Sequence, residues 1–201
     1  MEPLLDYAVR RTVAPASTPV TLAEAKRHCN VVASDEDDLL TRLIAAATEL
    51  VERDSNRALI TQTLVLTRTG FPDGNKLPLS RSPLQAVESV EYVDTAGNTQ
   101  VFAATNYHVD SAREPGLIWL NEDSNWPTLV SRRPDAVTVT YTAGYGDDPE
   151  DVPERARQAV LLLVGHWYRV REAVGSAGAS DVPLDLAYRS LICALKPGSY
   201  L

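Results

Sequence analysis

With 201 residues, 44% hydrophobic and 23% charged, the chain can bury a real core and is neither disordered nor fibrous. Its 19 basic residues against 27 acidic ones give a formal net charge of -8. That argues against gripping nucleic acid as its main task, because such binding rests on Lys and Arg neutralising phosphates. Two cysteines, Cys29 and Cys193, exclude a disulfide framework and fit a reducing compartment. No apolar run approaches the ~20 residues of a membrane span, and Met1 to Arg11 lacks the basic start and apolar stretch of a secretory signal. A soluble, acidic, intracellular protein with no membrane association is expected, built as one domain or one domain with an insertion.

Residues 1–18 carry no clear periodicity and end in Pro15-Ala16-Ser17-Thr18-Pro19, which reads as an extended N-terminal arm. Thr21 with Glu24 three positions later forms a capping box, opening a short helix from Leu22 to about Cys29. Ser34 is expected as a second cap, with Asp35, Glu36, Asp37 and Asp38 complementing the helix dipole behind it. Leu39, Leu40, Leu43, Ile44, Ala47, Leu50 and Val51 then recur at helical spacing to about Asn56.

From Ile60 the period changes to that of strands. Leu64, Val65 and Leu66 sit among threonines, and Phe71 to Asn75 is a turn by composition. Val87 to Val93 and Thr99 to Ala103 read as a hairpin about Asp94-Thr95-Ala96-Gly97-Asn98. Short strands are expected at Tyr107 to Asp110 and Leu117 to Leu120. Val137 to Thr142 alternates cleanly, with Val137, Val139 and Tyr141 inward, until Gly144-Tyr145-Gly146 stops it. Pro153 suits the first turn of a helix running to Val174. That helix is apolar most of the way round, so it must be covered on more than one side. In a chain this short the second cover is expected to be another subunit, which makes Leu161, Leu162, Val164, Trp167 and Tyr168 candidate interface residues. Pro183 opens a last helix to about Leu195, and 197–201 is a short tail.

Chemistry-bearing patterns are sparse. No G-x-S-x-G elbow accompanies His28, His108 or His166. Adjacent His28 and Cys29 point about 100° apart on a helix and cannot easily share a metal. The run Asp35 to Asp38 lacks the alternation and glycine of a calcium loop. Gly144-Tyr145-Gly146 lies between a strand and a helix, but the acids that follow would repel a phosphate. No catalytic residue, metal site or cofactor is expected. The negative excess gathers at two helix starts, Asp35 to Asp38 and Asp147, Asp148, Glu150 and Asp151, where capping and solubility account for most of it.

The order of motifs is more specific than any one of them. Thr21-Leu22-Ala23-Glu24-Ala25-Lys26, Asp37-Asp38-Leu39-Leu40 into Leu43-Ile44-Ala45-Ala46-Ala47, and Asn56-Arg57-Ala58-Leu59-Ile60-Thr61-Gln62-Thr63 follow at short range. Leu77-Pro78-Leu79, Ser82-Pro83-Leu84, Val87 to Asp94 and Val139 to Gly146 come next. Val152-Pro153 and Ala159-Val160-Leu161-Leu162-Leu163-Val164-Gly165-His166-Trp167-Tyr168 close the series. Over residues 19–195 the chain resembles the head–tail connector family (adaptor or head-completion proteins) of tailed phages, prophages and gene transfer agents.

The resemblance implies an α+β fold: a helical core (19–58 and 147–196, two helices each) with a β-rich insertion (59–146) between the second and third helices. It implies a non-enzymatic virion protein, assembled in the bacterial cytoplasm into a ring, usually dodecameric. The ring docks on the portal protein, extends the DNA channel without sequence-specific binding, and carries the next stopper or tail component. The family's C-terminal portal contact would fall here on Pro183, Leu191, Lys196, Pro197, Tyr200 and Leu201. A DNA passage should repel phosphates, so one acidic helix start or the β-rich insertion is expected to face the channel. A stopper or tail terminator is the alternative, usually richer in strands and without long flanking helices. A small soluble enzyme would need a pocket of convergent polar groups.

Overall fold

The structure, a computed structural model, describes residues 7–130, 133–170 and 184–196. In chain order its elements are β1 (Tyr7–Val13), α1 (Leu22–Cys29), α2 (Asp37–Ser55), β2 (Gln62–Arg68), β3 (Lys76–Leu79), β4 (Leu84–Val93), β5 (Thr99–Val101), β6 (Tyr107–Asp110), β7 (Gly116–Leu120), β8 (Val137–Ala143), α3 (Glu154–Arg169) and α4 (Leu184–Cys193). The fold is mixed α and β, with antiparallel sheets and, among the described residues, four α-helices. None of these helices is long and apolar enough to cross a membrane. The chain divides into two compact units, Met1–Ala14 with Thr61–Gly144 and Pro15–Ile60 with Tyr145–Leu201.

The first unit holds a five-stranded sheet in the order β1-β2-β8-β4-β5 and a three-stranded sheet in the order β3-β7-β6. β1 arises within the segment read as an arm; it lies antiparallel along β2, with Val9 opposite Leu66. The alternation read for β8 is met: Val137, Val139 and Tyr141 are fully buried. Their rows continue sideways through Leu66, Leu64 and Val90, so one face of the larger sheet is apolar. Leu77, Leu79, Ile118 and Leu120 form the buried face of the smaller sheet. Contacts between the sheets include a hydrogen bond and a close backbone approach. The Tyr141 hydroxyl donates to the Ser80 carbonyl at 2.7 Å, and Gly116 lies so close to Leu84 that a Cβ there would sit 2.5 Å from the leucine Cβ. Phe71 stacks on Trp126 at 4.5 Å between ring centres, and Trp126 Nε1 donates to the Gly74 carbonyl. This stack holds the irregular segment after β7 against the turn before β3.

The second unit is a helical cluster. Leu40, Ile44, Ala47 and Val51 of α2 meet Ala156, Ala159, Val160, Leu163 and Val164 of α3 in one buried core. The Thr21–Glu24 capping box forms as read. Ser34 is not a cap. Its carbonyl, and not its hydroxyl, accepts from Asp37 N at 3.1 Å, and α2 starts after Glu36 with no side-chain cap bond. Asn30 and Asn56 close α1 and α2 in the left-handed conformation, which asparagine tolerates better than most residues. Pro153 stands one residue before α3, and the expected extension of that helix to Val174 runs past the described residues.

Candidate interaction surfaces

The all-round apolar character of α3 has a simpler cause than a neighbouring subunit. Within its own unit α3 packs against α1, α2 and α4. Val164 is completely buried there, so it offers no surface to a second copy, a correction to its reading as an interface residue. Leu161, Trp167 and Tyr168 are half-buried and lean on the same core, while half-buried Leu162 stands outside that cluster. Of the five candidates, Leu162 points most clearly away from the helical core.

Arg157 fixes the N-terminal end of this unit. Its guanidinium bonds the Glu24 carboxylate, donates to Glu154 at 3.0 Å and to the Pro19 carbonyl at 3.2 Å, with only 17% of the side chain exposed. Burial would raise the Glu24 carboxyl, but the Thr21 backbone N–H and hydroxyl together with Arg157 outweigh it and hold the group below its ordinary range. The sequence gives no pattern for this hub beyond the Glu154/Arg157 spacing, since Glu24 is 133 residues away. At the other end of α3, Tyr168 donates to Glu36.

These contacts locate the two acidic runs. Asp35 to Asp38 lie where Tyr168 ends α3, whereas Asp147 to Asp151 precede its first residue. Fourteen helical steps lead from Glu154 to Tyr168, so the runs stand about 20 Å apart and form no single patch. Within the first run Lys26 donates to Asp37 at 2.6 Å and Glu36 is engaged by Tyr168, leaving Asp35 and Asp38 exposed. In the second, Asp148 and Asp151 cap a short 3-10 turn, and all of Asp147, Asp148, Glu150 and Asp151 are exposed.

Of the expected portal residues, Pro183, Pro197, Tyr200 and Leu201 lie outside the described residues. Leu191 is half-buried against the helical core, and Lys196 is exposed just past α4. The turn just after α4 is held by two arginines that bond its carbonyls: Arg57 donates to Leu195 O, and Arg155 to Ala194 O at 3.1 Å. Along its side, Tyr188 donates to Asp54 at 3.0 Å. Burial first, then that bond, pushes the phenol well above its ordinary range. Asp54, Tyr188, Arg189, Ile192, Cys193 and Lys196 line an open groove here.

Among the described residues no group of three or more His, Cys, Asp or Glu could hold a metal ion. His28 of α1 rests its Nε2 over Gly165 of α3, and burial raises the neighbouring Cys29 thiol. Both belong to helix packing.

Comparison with known proteins adds what geometry alone does not. A chain in the virion of a native gene transfer agent particle superposes with a TM-score of 0.76 at 24% identity, covering 96% of this chain and 97% of that one. A chain in the neck of an empty gene transfer agent particle, computed with C6 symmetry, gives 0.75 at 26% identity with the same coverage. A chain in the neck of a native particle, computed with C12 symmetry, gives 0.74 at 26% identity, again with the same coverage. No curated protein matches. The profile described as head completion protein matches residues 19–182, most of the sequence, and the chain therefore belongs to the head completion protein family.

Proposed function

We infer that this protein is a head–tail connector, an adaptor in the neck of a phage-like particle. The observation that carries the reading is the end-to-end correspondence, at 26% identity, with chains of gene transfer agent necks, on top of the family match. Copies assemble into a ring, which the C6 and C12 symmetries of those necks support, with twelve as the copy number. A ring subunit needs two different surfaces that meet head to tail and close by symmetry. The outer side of α3, with Leu162 foremost and Leu161, Trp167 and Tyr168 beside it, supplies one apolar contribution.

The ring sits between portal and tail. Its upper contact is the α4 end with Leu191, Lys196 and the residues that follow; the tyrosine-anchored α4 and the arginine-held turn after it support this by giving the tail a fixed point of departure. A stopper or tail component docks on the opposite side. DNA passes through without sequence-specific binding, and one exposed acidic run repels its phosphates from the wall. The two runs stand about 20 Å apart, and the face that lines the passage carries Asp35 and Asp38, or Asp147 to Asp151, or belongs to the β-rich unit.

Deleting the gene from a producing strain and imaging the particles tests the role. Filled heads without tails, restored to tailed particles by the gene in trans, are expected. Normal tailed particles in the deletion strain would refute it.

A further inference from the structure

Among the described residues the larger sheet ends in two unpaired edges of unlike character. Residues directly opposite one another in antiparallel strands share a face, so the registers define rows on the face turned away from the apolar one. One row runs Val13, Thr63, Thr142, Ala86, and the next Arg10, Val65, Thr140, Ser89. A third runs Ala8, Thr67, Thr138, Glu91 and Val101. At the β1 edge this face shows exposed Arg10, for which the described residues provide no partner, and Val13, 58% exposed. At the opposite edge it shows Val101, 69% exposed, Ala86 and Glu88. Glu88 is the extra residue between Val87 and Ser89 where the register shifts. Its carboxylate accepts from Thr142 Oγ1 at 2.7 Å, which keeps it on this face, between the Val13 row and the Arg10 row.

β5 covers the outer side of β4 only from Glu91 to Val93, so among the described residues no strand lies along that side, the one away from β8, from Leu84 to Ser89. One edge thus ends in a cation with an exposed valine, the other in an anion with an exposed alanine in the matching row. Such unlike edges, one cationic and one anionic, complement each other and so favour head-to-tail pairing over pairing of like edges about a two-fold axis.

We propose that neighbouring copies in the ring meet edge to edge: β1 of one copy lies along the Leu84–Ser89 stretch of β4 in the next, with Arg10 against Glu88 and Val13 beside Ala86. The occupant of each edge is a second copy of this chain, an inference that rests on the ring reading above. An ordinary role exists for charged edge residues, since they discourage unwanted strand pairing. Under that role, removing either charge leaves the ring intact. Under edge-to-edge contact the two charges are coupled.

The test uses the full chain expressed in a producing strain lacking the native copy, with the amount of this chain relative to portal protein measured in purified particles. Arg10→Glu or Glu88→Arg alone is expected to lower that ratio about tenfold or more, because like charges then face each other across the contact. The double reversal is expected to restore it to near the wild-type value. Single variants at the wild-type ratio, or a double variant no better than the singles, would overturn the proposal. Absence of the wild-type chain from the particles would instead overturn the ring reading itself.

A second measurement does not depend on charge. Val13→Cys with Ala86→Cys, in a Cys29→Ser, Cys193→Ser background, places two thiols three strand spacings apart in one copy, about 14 Å. That is beyond disulfide reach, so any disulfide joins two copies. A ladder of covalent multimers after mild oxidation of particles is expected. Monomer alone, with the chain present in the neck, would refute the contact.

Discussion

Gly116 is a point at which the two sheets of the β-rich unit approach closely. A methyl group there would lie 2.5 Å from Leu84 Cβ and 2.6 Å from its Cδ2, against an optimum of about 3.5–4.0 Å for carbon pairs. Turning the leucine side chain cannot clear the first contact, because Cβ is fixed to the backbone, and Leu84 is only 5% exposed. Two effects of Gly116→Ala therefore oppose each other. Restricting the unfolded chain stabilises by about 0.4–1 kcal/mol, while overpacking costs about 1–3 kcal/mol. Overpacking wins at this site. At about 2–4 °C per kcal/mol for a chain of this size, the melting midpoint should fall by several degrees. Gly74 is the control: nothing lies within 4 Å of its would-be Cβ, so Gly74→Ala should leave the midpoint unchanged or slightly raised. Scanning calorimetry of the two variants beside the wild type measures both. Equal midpoints for the two alanine variants would refute the packing argument.

Other expectations concern the helical unit and its protons. Arg157→Ala removes three partners from a largely buried guanidinium and leaves Glu24 without its cation, a loss of about 2–3 kcal/mol readable by urea denaturation; wild-type stability would contradict its role as a hub. Glu24 has a folded carboxyl below its ordinary 4.5, so the stability it contributes is present above that value and is lost as pH falls through the folded one. The melting midpoint of Glu24→Gln should therefore lie below the wild type at pH 7 and converge with it at pH 3, whereas a constant gap would exclude the linkage. Tyr141→Phe gives up one bond to the Ser80 carbonyl and should cost about 0.5–1.5 kcal/mol, again by denaturation; no loss would mean that the bond adds nothing.

What could be read from the residues follows from how strongly each element is marked. β8 alternates through its whole length and is buried on one face, and the capping box at Thr21 is local chemistry complete within four residues. β1 is a different case. Its sequence, Tyr-Ala-Val-Arg-Arg-Thr-Val, belongs to an edge strand that buries no residue fully, so the period of two is nearly erased. β3 is four residues long and contains Pro78, tolerable because it lies at the edge of its sheet. In α3 the apolar breadth was visible but not its cause. Three helices of the same unit cover it, and only tertiary packing distinguishes that from a partner subunit. The acidic runs were legible as charge, yet their separation by the length of α3 was not. Arg157, Arg57 and Arg155 join residues far apart in sequence, so their partners emerge only from the fold.

Cryo-electron microscopy of the neck in particles purified from a strain expressing this chain is the most direct test of the account. It predicts this fold repeated around an axis as one closed ring beneath the portal, with an open central passage and an acidic helix start or the β-rich unit on its wall. A neck without this chain, or a passage lined mainly by Arg and Lys, would contradict it.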